Sequence, residues 1–210
     1  LYAKAVDAAQ RVKDRDEALL LVARMQERDG HLDEARATYE RIVNATPPGP
    51  RLVRAAVAAA QILIEQGRET EGYARLVDVA KKHPGHGDAR TALLRVMQHE
   101  EESGGLPAVL AFLKREQPAF VKTELEVFFD YQIAKTIADE GDITTARDLF
   151  IAHARAHPYP LGPYTDDAFT RAADIEVELG HPKEAIALLK EMLSTLEHSE
   201  KPGSYERPRY

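Results

Sequence analysis

The 210-residue sequence contains no cysteine. That removes structural disulfides, thiolate metal sites and cysteine nucleophiles together. It also lacks any run approaching the roughly 18 apolar residues of a membrane span. The richest stretch, 55–64, is short and heavy in alanine. There is no nucleophile elbow of the G-x-S-x-G type, no P-loop and no dinucleotide fingerprint. A basic excess is missing as well: 28 Lys and Arg stand against 35 Asp and Glu, for a net charge of −7. A nucleic-acid scaffold normally shows a basic stripe, so nucleic acid is not an expected partner. No segment alternates as a strand would. No signal peptide is visible. The chain opens at Leu1 without a Met and closes on Ser204–Tyr210 without a capping helix. Those ends suggest a piece of a longer or processed protein.

What the sequence does contain is a recurring template. A Gly is followed five residues later by a small residue and seventeen later by a Pro. The copies are Gly30/Ala35/Pro47, Gly67/Gly72/Pro84 and Gly141/Ala146/Pro158, with a fourth, Gly180/Ala185, that lacks the Pro. Seven residues before these glycines stand Ala23, Ala60, Ala134 and Ala173. Nine residues after them stand Tyr39, Leu76, Phe150 and Leu189.

The spacing has a physical reading. The glycine permits a tight positive-φ turn between antiparallel helices. The alanine and the small residue let those helices approach, the large residue fills the remaining space, and the proline ends the second helix. Apolar residues at three- and four-residue steps predict helices over 16–28, 32–44, 51–66, 69–82, 88–102, 107–117, 123–140, 142–156, 166–179 and 182–196. Thr123 and Glu126 have capping-box spacing, and Asp142 suits a helix N-cap. Repeats of this kind bury their apolar faces by stacking on neighbours.

The template resembles the tetratricopeptide repeat family over about residues 16–197, in a bacterial-type array. The resemblance implies an all-α, right-handed solenoid of about five helix pairs. The repeats are expected at about 16–49, 53–86, 88–118, 123–160 and 166–197. Residues 1–15 would be a partial leading helix, and 198–210 a tail or a linker to a further repeat. Successive glycines step 37 residues from 30 to 67, from 67 to 104 and from 104 to 141, then 39 to 180, against a family norm of 34. The family's large aromatic early in each first helix survives only as Phe169, with Leu19, Ala56 and Asp130 at the equivalent positions. The third unit is irregular, with Met97 in place of the small residue and Pro118 cutting its second helix short. Gly180–Met192 superficially resembles a helix of the RNA-reading pentatricopeptide family, which keeps an RNA-binding repeat as a remote alternative.

The resemblance also implies which residues face the concave surface. They include Leu20 and Arg24 in the first unit, Arg54, Val57, Gln61 and Ile64 in the second, and Leu94 in the third. Phe128, Tyr131 and Lys135 follow in the fourth and Asp174 in the fifth. The apolar members point to a groove for a peptide or helix of a partner protein. Arg24, Arg54 and Lys135 would select partner carboxylates. The expected function is therefore a non-enzymatic protein-binding scaffold, with self-association or a spacer role in a larger envelope protein as the alternative. The Lys/Asn clamp of chaperone-binding relatives is missing at Leu20, Arg24, Val57, Ala58 and Gln61. The link from Pro158 to Ala168 resembles those of bacterial envelope proteins of this family, which leaves cytoplasm and envelope both open.

Two histidines have metal-ligand spacing, His153 and His157. His153 aligns with the packing residues Ile42, Val79 and Met192, and His157 precedes a helix-ending Pro. Both therefore read as structural, as do His83 and His86 in their loop. The acidic pairs Glu124/Glu126 and Asp166/Asp167 and the run Glu100–Glu102 read as solvated charges near helix ends. No cofactor and no metal are expected.

Overall fold

A computed structural model describes residues 2–158 and 162–197 of the chain. The expectations for Leu1, 159–161 and 198–210 lie outside the described residues. Among the described residues all regular structure is helical. The α-helices are α1 (Tyr2–Arg28), α2 (Leu32–Val43), α3 (Leu52–Glu65), α4 (Glu69–Lys82), α5 (Gly87–Glu116), α6 (Glu126–Asp139), α7 (Ile143–Ala156), α8 (Thr165–Glu178) and α9 (Pro182–Glu197). A single 3-10 turn, Gln117–Phe120, stands between α5 and α6. The chain divides into two compact units, Leu1–Val96 and Met97–Tyr210.

Within the first unit α1 packs on α2, α2 on α3 and α3 on α4. The turns between paired helices are made at Gly30 (φ 82°) and Gly67 (φ 76°), a region that favours glycine. Ala23, Ala35 and Ala60 are fully buried, so no side chain holds these helices apart. Gly72 shows how close the approach is. A Cβ built there would lie 2.8 Å from the Ala60 carbonyl oxygen and 2.5 Å from Ile64 Cγ1. Tyr39, Ile42, Ala55, Ala59 and Ile62 complete one core cluster with Leu20.

The second unit repeats the plan in α6–α7 and α8–α9, with turns at Gly141 (φ 96°) and Gly180 (φ 83°). Its core is richer in aromatics. Phe120 stacks on Phe129 at 4.6 Å, and Phe128 meets Phe129 edge-on at 5.6 Å. Asp142 caps α7 by accepting from the Thr145 amide at 3.1 Å.

Polar contacts recur at about one repeat of sequence separation. In the first unit Arg51 pairs with Glu17, Gln66 with Asp33, Arg75 with Glu40 and Arg54 with Asp88. In the second, Tyr131 pairs with Asp167 and Arg155 with Glu191. Such a ladder arises when equivalent helices of successive repeats stand side by side.

Three local expectations change. The leading helix is continuous through residues 13–16, because Lys13–Asp16 contains neither Gly nor Pro to break it. In the third repeat the break falls at Gly105 (φ 69°) and not at Gly104, although the 37-residue step points to Gly104. The capping box forms only in part. Thr123 Oγ1 accepts from the Leu125 amide at 3.3 Å, but Glu126 takes the Lys122 amide, and the helix begins at Glu126.

Candidate functional site

The first unit carries a cleft of ≈ 320 Å³ between its first helices. Leu20, Val57 and Ala58 form an apolar floor, with Tyr39 reaching in from α2. Arg24, Glu27, Arg54, Gln61, Asp88 and Thr91 make the rim. α1, α3 and α5 thus each supply residues one helical turn apart, which places them on one face of their helices.

The rim is electrostatically ordered. Tyr39 Oη donates to Glu27 Oε2 at 2.9 Å. Burial, reinforced by the bond and charge of Glu27, pushes the Tyr39 hydroxyl pKa upward, so it stays a proton donor. Arg24 stands beside the same hydroxyl. Arg54 Nε lies 3.7 Å from Asp88 Oδ2, and the arginine keeps half its side chain in solvent. A ligand here would meet two guanidinium groups above an apolar floor, that of Arg54 standing beside Asp88.

Five residues expected on the concave face are brought together in this cleft: Leu20, Arg24, Arg54, Val57 and Gln61. Leu20 and Val57 are more buried than a free groove would leave them, at 6% and 8% exposure, because they also cap the core below. Ile64 is half-buried against Gly72 and is not part of the lining. Leu94 is exposed and lies outside the cleft. Glu27 and Thr91 have the inner-face register and do line it. Tyr39 was not expected because it stands on α2, a second helix, and Asp88 because it lies one turn before Thr91, at the very start of α5.

In the second unit the expected surface residues part company. Phe128 and Tyr131 are buried, which corrects their assignment to an open groove. Phe128 is held by the aromatic core. The Tyr131 ring stacks on Tyr164 at 4.5 Å, and its hydroxyl donates to Asp167 and accepts from Arg171 Nε at 2.8 Å. Lys135 is half-buried and pairs with Asp139 at 2.6 Å. Asp174 remains exposed.

The same unit assembles a group that no contiguous motif announces. Asp130 on α6 stands beside His153 on α7 and His157 at its C-cap, each offering one ligand-capable atom within 4.8 Å of the others. His157 Nε2 lies 3.8 Å from Asp130 Oδ2. Gln117 Nε2 donates to Asp130 Oδ1 at 2.7 Å. His153 is buried, and neither of its ring nitrogens has a hydrogen-bond partner. Burial, followed by the charge of neighbouring His157, pushes His153 down to about 4. The imidazole is therefore neutral at ordinary pH.

Residues 17–47 match a tetratricopeptide repeat family model. No curated protein matches the chain. Among solved structures, BtubC from P. vanneervenii is similar at a TM-score of 0.52 and 11% identity, over 99% of this chain and 92% of that one. The nearly identical TPR-like repeats of a Podosopora anserina protein described as a kinesin light chain give a TM-score of 0.45 at 15% identity, covering 89% and 97% of the two chains. YrrB, a TPR protein with an unusual peptide-binding site, gives 0.43 at 16% identity, covering 86% of each. No helix among the described residues is long and apolar enough to cross a membrane. Residues 17–47 are thus a tetratricopeptide repeat, set in an all-α chain with the helix-pair repeat fold of that type.

Proposed function

We propose that the chain is a non-catalytic protein-binding scaffold, and that the first-unit cleft takes a short amphipathic segment of another protein. The observation that carries this reading is the combination of an apolar floor with the exposed guanidinium groups of Arg24 and Arg54 at its edge. An apolar side chain of the partner would cover Leu20, Val57 and Ala58. A carboxylate beside it would meet Arg24 or Arg54, since a guanidinium matches a carboxylate in planar two-point geometry. Apolar contact supplies affinity here, and the charged rim supplies selectivity.

A displayed peptide library selected on the immobilised chain tests this. The expected winners place one large apolar residue next to Asp or Glu. A selection that enriches nothing, or enriches basic peptides, contradicts the reading.

Self-association is the second reading, favoured by α9. Ile186, Leu189 and Leu193 form an exposed stripe at helical spacing on that helix. Sedimentation equilibrium over a range of concentrations checks it. A dimer that Leu193→Glu dissociates supports the stripe as an interface, and a monomer throughout removes it.

A further inference from the structure

The repeat template is broken at two packing positions within one repeat, and the two breaks meet. The position eleven residues before the turn glycine holds Leu19, Ala56 and Phe169 in other repeats, but Asp130 in this one. The position twelve residues after the glycine holds Ile42, Val79 and Met192 elsewhere, but His153 here. Each change places a polar group where packing alone asks for an apolar one, and an unpartnered buried imidazole is costly. His153 is only 4% exposed, yet both its ring nitrogens lack a partner. The two polar groups and His157 fall within 4.8 Å of one another.

We infer that Asp130, His153 and His157 form a binding site for a divalent transition-metal ion of the zinc class. The donor set is two imidazole nitrogens and one carboxylate oxygen, a combination that suits zinc. In a tetrahedral zinc site, bonds of about 2.0–2.2 Å bring neighbouring donors to about 3.4 Å. Asp130 Oδ2 and His157 Nε2 stand at 3.8 Å already, so side-chain adjustments of well under a helical turn close the set. Gln117 occupies the other Asp130 oxygen, the outer hydrogen bond that orients a ligating carboxylate. Asp130 and His157 are partly exposed, at 33% and 25% of their side chains, which gives the ion a way in. Three protein ligands leave one tetrahedral position for water or for a donor from a partner. The ion would tie α6 to the C-terminal end of α7.

The test is zinc binding to the metal-stripped full chain, followed by competition with a chromophoric chelator and by metal analysis after desalting. One zinc per chain is expected. Asp130→Asn and His157→Ala should each weaken binding at least tenfold, and Gln117→Leu by about tenfold. His153→Leu restores the kind of residue found in the other repeats. It should abolish stoichiometric binding while raising the melting temperature of the metal-free chain, which separates loss of the site from loss of the fold. Zinc should raise the melting temperature of the wild type and leave that of His153→Leu unchanged. A His83→Ala/His86→Ala chain should bind as the wild type does. Failure to bind one equivalent, or binding that survives both His153→Leu and His157→Ala, overturns the site.

Discussion

The Tyr39 hydroxyl donates a 2.9 Å hydrogen bond to the Glu27 carboxylate, tying α2 to the rim of the first-unit cleft. Tyr39 fills the large-residue position of the template, so its ring belongs to the core while its oxygen serves the site. Tyr39→Phe keeps the packing and removes only that bond. Chemical denaturation should report a loss of about 1.5–3 kcal/mol, the range for a bond to a charged acceptor, with helical content unchanged. No loss would mean that the bond is matched by water in the variant.

Close helix approach in the first unit depends on Gly72. An added Cβ must displace the Ala60 carbonyl, which is backbone and cannot swing aside. Gly72→Ala should therefore destabilise the chain by about 1–3 kcal/mol, as overpacking does, despite alanine's better helix propensity. A stabilised variant would show that α3 and α4 are further apart than this geometry requires.

Phe150 and Leu189 occupy the same template position in successive repeats, but Phe150 is 1% exposed and Leu189 is 37% exposed. Phe150→Ala should cost about 3–5 kcal/mol by leaving a cavity. Leu189→Ala should cost about 1 kcal/mol or less, since part of that surface already faces water. Equal costs, measured by denaturant titration, would imply that Leu189 is covered in solution.

The exposed Arg155–Glu191 pair makes two 2.8 Å bonds between α7 and α9. The bond to Arg155 holds the Glu191 carboxyl below its usual range. A depressed folded pKa means that the pair's stabilisation is present above the unfolded value of 4.5 and is lost as the pH falls through the folded one. Glu191→Gln should thus cost about 0.2–1 kcal/mol at neutral pH, the range for exposed pairs. The gap between variant and wild type should close in acid. A gap independent of pH would assign the effect to packing.

The repeat plan was legible because its small residues have few structural uses. Ala23, Ala35, Ala60, Ala134 and Ala146 are all buried at the close approaches that the spacing demands. The choice between Gly104 and Gly105 was not legible, since adjacent glycines are equally free to adopt positive φ and only the following chain decides. In the candidate cleft, the first-helix register located Arg24, Arg54 and Gln61. It could not show that Phe128 and Tyr131, with the same register, would be drawn inward by the aromatic residues Phe129, Phe150 and Tyr164. Aligning His153 with apolar residues correctly marked a packing position. The same alignment held a second signal in Asp130, and only three dimensions show that the two polar departures touch.

The most direct test of the scaffold reading is the affinity of a library-selected peptide for the Arg24→Glu/Arg54→Glu chain against the wild type, read by fluorescence anisotropy. Both side chains are exposed at the rim, so the variant should keep its helical content and melting temperature. The account predicts at least a tenfold weaker complex. Equal affinity in a folded variant would contradict it and place the binding surface elsewhere.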